Sequence, residues 1–208
     1  AFLVLTLFLG VFLAVVPSKA ILDDPTVFSA MPESQGLSQT GTNYVIVRNS
    51  VSGVMGGSYS LGVGQGYSSS YYAVWRNALL FDLSSVPSTA NITSAVLSVY
   101  IVYYIGFICD FNVTVQSGLP NYPHNPVVAS DYYASWYSGN GGERNSSEVG
   151  GIGWWNITLN TAGIGMITKA GITKFMMRSN QDINSTVPTG EHMMAYYGPG
   201  VGQYYAPM

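Results

Sequence analysis

Five Asn-x-Ser/Thr triplets are the clearest chemical signal in the chain: Asn91-Ile-Thr, Asn112-Val-Thr, Asn145-Ser-Ser, Asn156-Ile-Thr and Asn184-Ser-Thr. The amide nitrogen of such an Asn accepts N-linked glycans, and the composition would give roughly two triplets by chance. Asn91, Asn112, Asn145, Asn156 and Asn184 are the candidate sites for covalent glycans, and at least two of them are expected to carry one. No local pattern proposes a reaction centre. His124 and His192 stand in unrelated contexts, without a neighbour at metal-ligand spacing. The carboxylates are scattered, and none forms the local pair that would announce glycoside hydrolysis. Serine is plentiful but occurs in no nucleophile-elbow pattern. Gly62-Val-Gly-Gln-Gly66 lacks the Lys-Ser/Thr and following helix of a phosphate-binding loop, and reads as a flexible turn. Cys109 is the only cysteine; in its apolar run it reads as a small buried hydrophobe. The residues thus nominate no catalytic group, no metal site and no cofactor, and the chain is expected not to be an enzyme.

A second chemistry is recognition. Residues 118–153 form a long irregular region carrying Pro120, Pro123, His124, Pro126, Tyr132, Tyr133, Trp136 and Tyr137, with Trp154 and Trp155 directly after it. Sugar rings stack on exposed aromatic faces, and long loops are common places for binding. Trp136, Tyr137, Trp154 and Trp155, with Tyr132 beside them, are the candidate carbohydrate contacts. The alternative is that these rings cover an open sheet face or pack between subunits.

The elements that must position these residues read as strands. Two apolar runs, 78–83 and 95–104, flank a polar corner with Ser84, Ser85, Pro87, Ser88 and Thr89. In the second run Ala95, Leu97, Val99 and Ile101 alternate onto one face, the period of a strand. Pro87 cannot donate to a ladder, so the chain turns there. Asp82 ends the first run, where a short carboxylate can accept backbone N–H groups of the corner, a structural tie rather than a catalytic acid. Two anchor strands are expected over 71–83 and 95–105, and further strands over 44–48, 107–116, 154–159, 172–179 and 191–197, with weak strand character at 59–63. One short helix is expected over 161–170, stopped by Gly171. The expected fold class is mainly β.

Arg76, Phe81-Asp-Leu-Ser84, Val86-Pro87 and Ala95-Val-Leu-Ser-Val-Tyr100 resemble, in order and spacing, the hallmark of the DNRLRE domains (disaggregatase-related repeats) of secreted prokaryotic proteins. Gly171-Ile-Thr-Lys-Phe-Met-Met-Arg-Ser179 resembles the strand after that family's short helix. The resemblance covers roughly 44–208 and implies an antiparallel, jelly-roll-like β-sandwich; it implies little about activity. In the family pattern a closing apolar strand follows the Pro near the end, and residues 203–208 reach only the equivalent of that Pro.

Composition and the N-terminus set the functional expectation. Charged residues are 8 %, against roughly a quarter in ordinary soluble proteins. A formal net charge of −3 leaves no basic footprint for nucleic acid. Low charge with abundant Asn, Ser and Thr suits an extracellular surface solvated by glycans, as in archaeal surface proteins. Residues 1–22 read as an apolar assembly segment or a signal-peptide remnant, 23–43 as a connector, and 44–208 as the β-sandwich. The assembly residues are Phe2, Leu3, Leu5, Leu7, Phe8, Leu9, Val11, Phe12, Leu13, Val15 and Val16, too short a run for a comfortable membrane span. Either a helix in a filament core or a strand donated to the next copy would bury them. The layout is similar to that of pilus-type subunits. The expected function is a structural subunit of an extracellular, glycosylated cell-surface filament whose partners are copies of itself. The alternative is a secreted carbohydrate-binding module.

Overall fold

The computed structural model describes residues 11–13, 26–104 and 110–199. Eleven strands occur among them: β1 (Val11–Leu13), β2 (Gln35–Gly41), β3 (Val54–Met55), β4 (Ser60–Ser68), β5 (Tyr71–Asp82), β6 (Val96–Tyr104), β7 (Asn112–Gln116), β8 (Glu143–Asn145), β9 (Gly153–Thr158), β10 (Ile172–Ser179) and β11 (His192–Tyr197). Three short helices interrupt them: α1 (Tyr44–Arg48), α2 (Thr161–Gly165) and α3 (Asn180–Ile183).

The mainly-β class agrees with the sequence, but the expected two-sheet sandwich does not form. Hydrogen bonding runs without a break through β1-β6-β11-β4-β5-β10-β7-β8, and this path curls into a nearly closed eight-stranded barrel. The physical reason is the length of β5. Its first half, 71–75, pairs with β4, and its second half, 77–82, pairs with β10, so one strand carries the sheet across the molecule. β2 pairs with β5 over 72–78. Near the open seam Arg144 of β8 donates to the Asn156 carbonyl of β9 at 3.0 Å, and β9 is itself paired with β6.

Several local expectations are also corrected. Tyr44–Arg48 is helical despite its β-branched residues, because Asn43 caps it, accepting from the Ile46 N–H at 3.2 Å, and because Tyr44 and Val47 bury a common side. The stretch expected as a connector contributes β2. Gly62, Gly64 and Gly66 lie within β4 and form no flexible turn. At Gly64, where φ is +133°, a side chain would collide with the His192 carbonyl, so only glycine fits. The turn between β4 and β5 is instead Ser69-Ser70, both in the left-handed region. The helix expected over 161–170 ends at Gly165 and is one of three. Strands β6, β9, β10 and β11 fall where the sequence put them. So does the corner tie: Ser84 N–H donates to Asp82 Oδ1 at 2.9 Å, which holds that carboxyl below its usual range.

Two apolar clusters result. The main core holds Leu97, Val99 and Ile101 of β6 with Leu79, Phe81, Val113, Phe175 and Met177. A second layer joins Val74, Ala78, Leu80 and Met176 to Leu37, Tyr44, Val47, Tyr132 and Tyr137. Polar groups beside this second layer form a buried knot. Arg76, fully buried, donates to both Asp182 oxygens at 2.8 and 2.7 Å, to the Arg48 carbonyl at 2.8 Å and to the Tyr132 carbonyl. Its guanidinium also sits 4.1 Å from the Tyr132 ring centroid. Arg178 reaches Asp182 Oδ2 at 2.8 Å and Gln116 Oε1 at 2.9 Å. Burial opposes ionisation of Asp182, but the charges and hydrogen bonds of Arg76 and Arg178 outweigh it and hold the carboxyl well below the usual range.

Truncating Leu97 or Leu80 to Ala should cost about 2–5 kcal/mol in denaturant unfolding, since both are fully buried. An unchanged midpoint would show that the register is wrong. Asp182→Asn should cost about 3–5 kcal/mol near neutral pH, because it strands two buried guanidinium groups. The wild-type knot has a depressed carboxyl pKa. Its contribution is complete above the unfolded value of about 4 and is lost as pH falls through the folded value. Urea midpoints measured as a function of pH should therefore fall in acid, and less steeply in Asp182→Asn. At the alkaline end burial lifts the Tyr44 phenol to about 12, with Asp182 adding to the effect, and raises Tyr132, Tyr137 and Tyr196 too. Their contribution is complete below about pH 10 and is lost as pH rises through the folded values.

Candidate functional site

Three kinds of site residue were expected, and each meets a different environment. Of the apolar assembly residues, Val11, Phe12 and Leu13 form β1, antiparallel to β6 in the register Val11 to Val99, Phe12 to Ser98 and Leu13 to Leu97. β11 pairs with β6 further along, at Ile101, Tyr103 and Tyr104, and β9 pairs with it over 96–101. Phe2, Leu3, Leu5, Leu7, Phe8, Leu9, Val15 and Val16 lie outside the described residues, as do Cys109 and residues 203–208. The sequence identified this segment by its apolar run; the partner strand was not legible in it.

The five glycan acceptors divide in two. Asn91, Asn156 and Asn184 are exposed, in a loop, on β9 and at the end of α3. Asn112 and Asn145 are half-buried and bound to each other. Asn145 Nδ2, the nitrogen a glycan would take, donates to Asn112 Oδ1 at 2.9 Å and to Asp110 Oδ1 at 2.6 Å, and Asn145 Oδ1 accepts from Ser147 N–H at 2.7 Å.

The aromatic platform does not form as expected. Tyr132, Tyr137 and Trp155 are buried, at 0, 5 and 2 % exposure, and offer no face to a sugar. Tyr132 and Tyr137 belong to the second apolar layer, which 118–153 covers, and Tyr132 donates to the Val47 carbonyl at 2.9 Å. Trp155 packs in the main core. Trp136 is half-exposed, but one face is stacked on Tyr122 at 3.8 Å between centroids. Trp154 is half-exposed and meets Tyr100 edge-on at 5.2 Å. Covering a sheet face, the alternative reading of this loop, describes most of these rings.

Sequence reasoning missed one constellation in the same loop. Asp131, fully buried, accepts from the backbone N–H of His124 at 3.1 Å and of Val128 at 2.9 Å, and its Oδ1 lies 2.8 Å from His124 Nδ1. Tyr122 and Trp136 approach the imidazole edge-on, with centroids 5.2 and 5.9 Å away. The Asp131 carboxylate beside Nδ1 holds the imidazole in one orientation. Such a dyad can orient a polar ligand or move a proton, but among the described residues no nucleophile is paired with it. Among the described residues no three His, Cys, Asp or Glu side chains come together to hold a metal ion. The only sequence signal was a His and an Asp seven residues apart in a Pro-rich loop, which has no characteristic spacing.

If Asp131 chiefly ties this loop, Asp131→Ala should lower stability by about 1–3 kcal/mol, by leaving buried backbone N–H groups unpaired. His124→Ala, at a largely exposed side chain, should change it by less than about 1 kcal/mol. Equal losses in thermal or urea unfolding would contradict this division. Comparison of the chain with protein-family models, with curated proteins and with solved structures finds no match, so the DNRLRE resemblance rests on its motif residues alone.

Proposed function

We propose that the protein is a structural subunit of an extracellular, glycosylated filament, joined when the apolar N-terminal segment of one copy adds as a strand to β6 of the next. The observation that carries this reading is the pairing of Val11–Leu13 with 97–99 of β6. The segment that the sequence marks for assembly is held there by backbone hydrogen bonds. A pairing made within one chain can be made between two identical chains at little added cost, because the contacts are the same. Where each copy gives its segment to one neighbour and receives one from another, the contact is heterologous. Exchange in one direction is therefore head-to-tail and extends into a fibre instead of closing a dimer. A patch of exposed aliphatic side chains supports contact between copies: Val45, Ile46, Val51 and Val54 are 61–70 % exposed within ten residues of chain. The buried state of Tyr132, Tyr137 and Trp155 favours this reading over a sugar-binding loop at those residues.

The test is a cysteine pair, Val11→Cys with Val99→Cys, in a Cys109→Ser background. In concentrated protein the cross-link should join different copies, and oxidation of the dilute monomer should lock the strand within one chain and block assembly. Assembly that proceeds with the intramolecular lock in place would refute strand exchange. For the glycan coat, peptide mass spectrometry of native material should find glycans on at least two of Asn91, Asn156 and Asn184, with Asn145 bare because its nitrogen is engaged. Wholly unmodified peptides would remove glycosylation from the account.

A further inference from the structure

Trp75 lies on β5 opposite Gly64 of β4, away from the residues considered above. Its indole crosses β4 lengthwise. A Cβ at Gly62 or Gly66 would stand 3.5 Å from Cδ1 or Cζ3, ordinary van der Waals contact, so the ring lies against the backbone of this glycine run. Alternate glycines on one face of a strand make a flat trough, and a cross-strand tryptophan fills it. The ring is nevertheless only half-buried, and it lines a shallow cleft of about 220 Å³. Gly36 and Gly62 line that cleft with Ser38, Ser60 and Met193, and among the described residues no charged side chain lines it.

We infer that this cleft is a binding site for a neutral saccharide, with one pyranose ring stacked on Trp75. An indole backed by a strand is held rigid, so little side-chain freedom is lost when a ligand covers it. The C–H face of a pyranose is attracted to the negative face of the aromatic ring. Its hydroxyls need partners at the rim, which the Ser38 and Ser60 hydroxyls and the indole N–H of Trp75 are of the right kind to supply. The lining that the described residues supply is neutral, and phosphate, carboxylate and cationic ligands would lose hydration against it without gaining a counter-charge. The volume, below that of pockets for drug-sized ligands, suits a single ring of a longer chain lying across the surface. A purely apolar occupant would leave both serine hydroxyls without a ligand partner.

The full chain, labelled with nitrogen-15, would be titrated with cellohexaose, mannohexaose, xylohexaose and chitohexaose while the indole N–H signals of its tryptophans are followed by NMR. The signal assigned to Trp75 by its loss in Trp75→Phe should shift saturably with at least one of these glycans. Trp75→Ala should weaken that binding by about tenfold, the order expected for losing an aromatic contact, while Trp136→Ala leaves it within about twofold. Ser60→Ala, which leaves the ring and trough in place, should weaken it by several-fold, about the worth of one hydrogen bond. The wild-type titration needs no variant to fold. The inference fails if none of the four glycans moves the Trp75 signal at millimolar concentration, or if a glycan shifts another indole while Trp75 stays still.

Discussion

Arg76 and Asp182 meet in a two-pronged ion pair with no solvent exposure on either side chain. Burying two charges is costly, and the cost is offset only when every remaining donor and acceptor finds a partner. Here the partners come from separate parts of the chain. Arg48 contributes the end of α1, Arg178 the end of β10, Tyr132 the long loop, and Ser179 caps α3 by accepting from the Asp182 N–H at 3.1 Å. The knot therefore fixes the position of α1, α3 and 118–153 on β5 and β10 at one point. Leu37, Val74, Leu80 and Met176 supply the apolar surface beside it, but that surface alone has no directional preference.

The same constraint limits what the long loop can do. Tyr132 is held by its carbonyl on Arg76 and its hydroxyl on Val47, and Tyr137 lies under the loop near Asp131. Rings used this way shield the outer layer and are lost to ligands. The surface left for recognition lies elsewhere: at His124 and Trp136 on the rim of the loop, at the β6 edge where Val11–Leu13 pairs, and along the glycine trough beneath Trp75. The proposed strand exchange at β6 and the proposed saccharide cleft at Trp75 involve separate residues.

Much of the strand plan was legible because it depends on period-two patterns. Ala95, Leu97, Val99 and Ile101 alternate in sequence and are all fully buried. Asp82 was readable as a tie because its partner is two residues away. Relations that span the chain were not legible. Arg76 stood in the motif, but nothing local indicated Asp182, 106 positions later, or that α1 would replace a strand in order to deliver the Arg48 carbonyl. The continuous barrel was missed because it depends on β5 pairing with β4 and β10 along successive halves, and alternation does not encode which strands are neighbours. The glycines of β4 were misread as a turn because nothing local shows that the strand runs on through them, or that Gly64 is pressed against the His192 carbonyl. At the candidate glycan sites the motif identified the acceptors, while the hydrogen bonds that occupy Asn145 depend on β8 lying beside β7.

Electron cryomicroscopy of the assembled full chain tests the central functional claim most directly, since it traces which copy supplies the strand beside 97–99 of β6. The account requires a head-to-tail filament in which residues 11–13 of each subunit lie on β6 of its neighbour. Filaments whose subunits each keep 11–13 on their own β6, or a protein that stays monomeric at every concentration, would contradict it.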